Sequence, residues 1–173
     1  MNSKIRYSEY GRSVSFSSGK DGRIMIKIER TTVIDAPVEK VFAYITNPVH
    51  LPEIWPCLVK VNDVHQMPEG TGTTYKWIYK MAGTYFEGIA KIIEHIPNQH
   101  LVVEDEGGIN AIRTTTLQPV GAGTKYTLRV EYAVPPSLLG NLNGGFIQRL
   151  NECETDVVLA NLKAKMETEV LEV

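Results

Sequence analysis

The sequence predicts an α+β fold: a curved antiparallel sheet of about seven strands wrapped around a long C-terminal helix, with two short helices after the first strand. Three observations predict it. A run of short segments between Val59 and Val134 alternates apolar and polar residues and is punctuated by Gly, Pro and Asn. A helix-start signal follows the first strand directly. From Phe146 onward the apolar period changes from two to steps of three and four, as in an amphipathic helix.

The first strand begins where Ile24, Ile26 and Ile28 alternate with Met25, Lys27 and Glu29, and it continues to Ile34. Asp35-Ala36-Pro37 follows, with Asp35 the candidate N-cap and Pro37 near the first helical position. Val38, Val41, Phe42 and Ile45 then fall at helical spacing, and Asn47-Pro48 stops the helix. A second short helix or turn covers His50 to Trp55 and is closed by Pro56. Val59 and Val61 mark the second strand, and Pro68-Glu69-Gly70-Thr71-Gly72 a turn. The third strand is Thr73 to Met81, the fourth Phe86 to Ile96, and the fifth Leu101 to Asp105. The sixth is Ile109 to Leu117 and the seventh Thr124 to Val134. Consecutive strands with tight turns imply an antiparallel meander. Phe146, Ile147, Leu150, Val157, Val158, Asn161, Leu162 and Met166 define the last helix, which runs to about Glu169. Ser137 and Asn143 are its candidate caps, and Gly144-Gly145 a candidate kink. That helix is the one element long enough to cover the sheet's apolar face, and a pocket between them is expected.

Residues 1–22 differ from the rest. They are rich in Ser and Gly with a mild basic excess, and are read as an N-terminal extension that is weakly structured or adds an edge hairpin through Ser13 to Ser17. A partner-binding arm is the alternative. Residues 23–173 form the domain proper.

The 173 residues include 18 Lys and Arg against 20 Asp and Glu, a net charge of −2. This argues against a dedicated nucleic-acid binder, which needs a surplus of cations for phosphate contacts. No apolar run approaches the ~20 residues of a membrane-spanning helix. The polar N-terminus lacks the apolar stretch of a signal peptide. Cys57 and Cys153 form no disulfide framework, so a cytoplasmic location is expected. His50, His65, His95 and His100 show no metal-ligand spacing, and no phosphate-binding, dinucleotide-binding or nucleophile-elbow motif is present. No metal or cofactor is expected.

The face turned toward the helix carries the candidate chemistry. Period two groups Thr73, Tyr75, Trp77, Tyr79 and Met81 on the third strand, and Phe86, Gly88, Ala90 and Ile92 on the fourth. It groups Arg113, Thr115 and Leu117 on the sixth, and Tyr126, Leu128, Val130 and Tyr132 on the seventh. Gly88 and Ala90 leave space, while Trp77, Tyr79 and Tyr132 supply aromatic walls with polar tips. Either these rings fill a plain core or they line a ligand pocket. Arg113 either enters the cavity or turns to solvent on a bulge. Inside, it would bind a ligand carboxylate or phosphate, or pair with an acid such as Glu104 or Glu87. Strict alternation sends Glu87 outward. His50 lies near the expected mouth, and the Leu138 to Gly145 stretch is either a gate or a plain turn. The candidate ligand-contacting set is Tyr75, Trp77, Tyr79, Phe86, Arg113, Tyr132 and, on the helix, Leu150.

The element order and local motifs together resemble the START-like superfamily, also called SRPBCC or helix-grip, and within it the polyketide cyclase/dehydrase and lipid-transport group. The resembling residues are Thr32 to Phe42 at the first strand-to-helix junction, Leu51 to Pro56, Gly70-Thr71-Gly72-Thr73, Gly123 to Leu128, and Leu159 to Glu167. The resemblance spans about Ile24 to Glu169; the segment before Ile24 has no counterpart. It implies binding or transport of a hydrophobic small molecule, such as a lipid, quinone, polyketide or aromatic, and tips the aromatic group toward ligand contact. The alternatives are a cyclase or dehydratase using Tyr and Arg side chains, and a protein-interaction module like the cochaperone-activator branch. Catalytic residues and ligand identity stay open, as does a homodimer.

Overall fold

The computed structural model describes residues 13–18, 24–139 and 144–168. Eight strands run in chain order: β1 (Ser13–Ser18), β2 (Ile24–Ile34), β3 (Leu58–His65), β4 (Thr74–Met81), β5 (Thr84–Ile96), β6 (His100–Gly107), β7 (Ala111–Val120) and β8 (Gly123–Ala133). Four α-helices accompany them: α1 (Val38–Thr46), α2 (Leu51–Ile54), α3 (Pro136–Leu139) and α4 (Gly144–Thr168). A single 3₁₀ turn, Pro48–His50, leads into α2.

All strands form one sheet in the order β1-β2-β8-β7-β6-β5-β4-β3, and every pairing is antiparallel. The meander β3 to β8 is as expected, and β2 closes it by pairing with β8 from Met25↔Ala133 to Ile34↔Thr124. The added strand β1 pairs with β2 from Ser13↔Glu29 to Ser18↔Ile24 and makes one edge. Residues 1–12 and 19–23 lie outside the described residues. Ladder irregularities between Ile92 and Glu94, and in β3 between Asn62 and His65, bend the far half of the sheet. Ala82 and Gly83 both have positive φ and join paired Met81 and Thr84, the geometry of a two-residue hairpin turn.

The helix start departs from expectation. Pro37 occupies the cap position of α1, its carbonyl accepting from Lys40 N and Val41 N, with no side-chain cap. Asp35 instead donates its own backbone N–H to Glu167 Oε1 at 2.8 Å, tying the strand end to the far end of α4. Asn47 ends α1 and its side chain accepts from Val49 N, capping the next turn.

The helix α4 runs unbroken from Gly144 across the concave face. Ile147, Val158, Leu162 and Met166 reach the core beside Ile26, Ile28 and Leu128. An ionic clamp holds it at the side: Arg30, 4% exposed, bonds Asp156 at 2.8 Å and lies 3.7 Å from Glu152. Asn161 Nδ2 donates to Ile54 O at 3.1 Å and fixes α2 against α4. Among the described residues no helix is long and apolar enough to cross a membrane.

Candidate functional site: a cavity with two polar ends

Between the sheet and the middle of α4 lies a cavity of about 90 Å³. Counting its mouth, the atom-free space is about 700 Å³. One enclosed water needs ~10–15 Å³, so the interior has room for part of a small organic molecule. The sheet wall comes mainly from β4, β7 and β8, which present Tyr75, Trp77, Tyr79, Met81, Ala111, Arg113, Val130 and Tyr132, with Ile28 of β2 and Asp105 of β6 beside them. Trp55 and Leu58 close one side, and Asn151, Glu154 and Thr155 of α4 form the roof.

Tyr75, Trp77, Tyr79, Arg113 and Tyr132 therefore stand together on this wall, at the inward parity expected of them. Phe86 and Leu150 do not. Phe86 is buried but packs against Gly108, outside the cavity. Leu150 is 39% exposed on the outer face of α4, as is Val157 at 44%. The roof positions at that level belong to polar Asn151, Glu154 and Thr155, which a search for apolar spacing passes over. His50 stacks on Tyr44 at 4.7 Å and does not line the cavity. Gly88 makes room of a different kind from that expected. A Cβ there would collide with the Trp77 indole and the Glu106 carbonyl, so glycine seats the Trp77 ring rather than a ligand.

One polar end is an ion pair. Arg113 Nε donates to Asp105 Oδ2 at 2.7 Å, and its terminal nitrogen donates to Asp105 Oδ1 at 2.9 Å and to the Tyr75 hydroxyl at 2.6 Å. The acid is Asp105, not Glu104 or Glu87. Val103 lies opposite Arg113 in the β6–β7 ladder, so Asp105, two residues along on the same face, is its diagonal neighbour. Period two from Leu101 and Val103 could have found it. Tyr75 reaches Arg113 across two intervening strands because the sheet curves. Trp55 covers the guanidinium, its ring centroid 5.8 Å from Cζ. Burial works to lower the Arg113 pKa, but Asp105 and Tyr75 more than reverse it, so the cation is held.

The other end is an acid that pairs with no cation among the described residues. Glu154, 8% exposed, accepts from the Tyr79 hydroxyl on Oε2 and from Cys57 N on Oε1, the latter at 3.3 Å. Burial pushes its pKa up, against the pull of hydrogen bonds from the Tyr79 hydroxyl and from both the thiol and the N–H of Cys57. Burial and then the Glu154 charge push the Cys57 thiol up to about 11 and the Tyr79 phenol well above its usual value. Next to them the Asn151 amide donates to the Tyr132 hydroxyl and to Ile147 O. Trp77, 5% exposed, keeps its indole Nε1–H buried with no acceptor among the described residues.

This frame, a sheet gripping one long helix over an apolar cavity, has a family counterpart. Residues 25–167 match the polyketide cyclase / dehydrase and lipid transport family. The chain belongs to that family. Solved structures with the same fold include the Zhui aromatase/cyclase from a Streptomyces species, at 15% identity, TM-score 0.69, covering 84% of this chain and 96% of that one. A START superfamily protein from Mycobacterium smegmatis superposes at 12% identity and TM-score 0.68, covering 82% of this chain and 97% of that one. The two-domain aromatase/cyclase StfQ of the steffimycin biosynthetic pathway is similar at 14% identity and TM-score 0.67, over 84% of this chain and 52% of that one. No curated protein sequence matches. At these identities the likeness to solved structures is one of fold. Among the described residues, no group of three or more His, Cys, Asp or Glu side chains is placed to hold a metal ion.

Proposed function

We propose that this polyketide cyclase/dehydrase and lipid transport family member binds a hydrophobic small molecule in the cavity between sheet and α4. The observation that carries the reading is the cavity itself: about 90 Å³ walled by aromatic and aliphatic side chains with a few polar groups at its ends. Arg113 is a poor free receptor for an anion, because Asp105 already holds it with both oxygens. The orphaned Trp77 N–H fits the same reading, since an acceptor on a bound molecule would relieve an unmet donor worth ~1–3 kcal/mol. An interaction module with a closed core gains no support from a core that holds a cavity.

The test uses intrinsic fluorescence. Trp55 also lines the cavity, so the measurement is made in a Trp55→Phe background with octanol as a non-absorbing probe. Trp77 emission is expected to shift as octanol binds, and native mass spectrometry of freshly purified protein to show a small-molecule adduct. Unchanged emission with saturating bound octanol would remove Trp77 from the contact set.

A second reading rests on Glu154. A carboxyl hydrogen-bonded to a phenol at the cavity wall is an ionisable pair that a cyclase or dehydratase needs to move a proton at a substrate carbonyl. Two of the fold neighbours carry aromatase/cyclase names. Turnover of a poly-β-ketone mimic that is lost in Glu154→Gln and in Tyr79→Phe would select the enzyme over the carrier.

A further inference from the structure

We propose that the Glu154 end of the cavity recognises a hydrogen-bond donor. The protein then takes an apolar, ring-bearing molecule carrying a hydroxyl or protonated amine, and rejects the same skeleton carrying a carboxylate. The inference rests on the cavity being a binding site and adds the chemistry of the molecule's polar group.

The argument is an inventory of charge and lone pairs. An ionised carboxylate offers about four acceptor sites; Tyr79 and Cys57 N take one on each oxygen and the Cys57 thiol takes a further one, which leaves an acceptor site open. No lysine or arginine among the described residues forms an ion pair with Glu154. Each element around it is uncharged toward it. Tyr79 of β4, Cys57 of the α2–β3 segment and Tyr132 of β8 all have raised pKa values and stay neutral. Asn151 and Thr155 of α4 spend their donors on Tyr132, Ile147 O and Asn151 O. Lys80, whose charge is felt at Cys57, has its ammonium over the Tyr85 ring, 5.3 Å from the centroid. The charged groups elsewhere on the cavity wall, Arg113 and Asp105, neutralise each other.

An ionised Glu154 is thus a buried negative charge with an acceptor site left open at the cavity wall. Such a charge is costly until something donates to it. A hydroxyl or ammonium on the bound molecule does so; a carboxylate adds repulsion. The walls set the rest of the molecule: Trp55, Trp77, Tyr79 and Tyr132 favour flat rings through offset and edge contacts.

Equilibrium dialysis at mildly alkaline pH tests this with four probes of one skeleton: naphthalene, naphthol, naphthylmethylamine and naphthoate. The intact protein is expected to bind naphthol and naphthylmethylamine about tenfold or more tighter than naphthalene, and naphthoate weakest, as a charge-assisted hydrogen bond allows. In Glu154→Gln, which keeps shape and an acceptor, those gaps shrink to within about threefold. A preference for the amine alone would identify a cationic partner, and for both donors a general one. Failure of naphthalene to bind overturns the cavity reading and this inference with it. Naphthalene bound as well as naphthol, or naphthoate bound best, overturns this inference alone. The comparison among probes on the unaltered protein stands whether or not the variant folds.

Discussion

The two ends of the cavity hold ionisable groups at similar depth and solve the problem of burial in opposite ways. At one end Arg113 meets both oxygens of Asp105 and the Tyr75 hydroxyl beneath the Trp55 ring, so a cation and an anion cancel in place. At the other, Glu154 has donors but, among the described residues, no counter-charge. The first arrangement is complete without a ligand and acts as architecture: it fastens β6, β7 and β4 together at the back of the cavity. The second is incomplete, and the incompleteness faces the cavity. Depth alone does not mark a functional group. What marks it is a polar requirement that the fold leaves open.

The largest expected effect comes from breaking the complete end. Asp105→Ala leaves a buried guanidinium without its anion, which costs about 3–5 kcal/mol. Urea unfolding should report it as a lower midpoint with an unchanged slope. A loss under about 1 kcal/mol would mean that water reaches Arg113, and the contrast between the ends would fail. A double variant, Asp105→Leu with Arg113→Met, should recover most of the loss, because apolar replacement of a buried pair is often neutral. A smaller effect is expected at the open end. Tyr79→Phe takes one donor from Glu154 and should cost about 1–3 kcal/mol. The same change should raise the Glu154 pKa further, since the Tyr79 bond lowers it. An infrared carboxyl band at Glu154 titrating at higher pH in Tyr79→Phe than in the parent would show this.

Most of the fold was legible because it is written in period two and period 3.6. The alternation in Ile24 to Ile34, Thr73 to Met81 and Thr124 to Val134 gives the inward face of each of those strands, while the direction of Arg113, on Ile109 to Leu117, stays open in the sequence between cavity and solvent. The site was legible only where sheet residues make it. Tyr75, Trp77 and Tyr79 follow from the parity of one strand once one of them is set, while Arg113 and Tyr132 each depend on the parity of their own strand. The roof did not follow. An apolar helix pattern picks Leu150 and Val157, but the helix surface above the cavity is Asn151, Glu154 and Thr155, because this stretch faces the polar cavity end rather than packed core. The outward Leu150 and Val157 are large hydrophobics left at the surface, and they pull the apparent helix face around by about a quarter turn. Gly88 shows the limit of reasoning from size: a missing side chain makes space, but which neighbour takes it depends on a tertiary contact, here the Trp77 ring. Trp55 was passed over because it sits on an irregular segment with no period to assign its direction.

The smallest expected effect is the sharpest discriminator between the ends, because it is read as a slope. The Glu154 pKa is raised in the folded protein by burial, relative to an ordinary value near 4.5. Between that value and the raised one, the folded state holds a proton that the unfolded state has released. The derivative of unfolding free energy with pH then carries a negative contribution from this group. Its contribution to stability is present in full below the ordinary value and is lost as pH rises through the folded value. Glu154→Gln has no proton to lose. Unfolding free energies measured by urea across this window should therefore diverge: the variant gains on the parent as pH rises, then the difference levels off above the folded pKa. The other titrating groups are common to both proteins and cancel in the difference. Tyr79, Tyr132 and Cys57, the neighbours whose own pKa values are raised, stay protonated throughout and add no slope. The control is Asp105→Asn, at the neutralised end. Removing that carboxylate strands the Arg113 cation, so this variant should lie below the parent throughout the neutral range rather than gain on it as pH rises. Parallel curves for Glu154→Gln and the parent would show that solvent or a neighbouring charge already satisfies Glu154, and the open end would be as closed as the other.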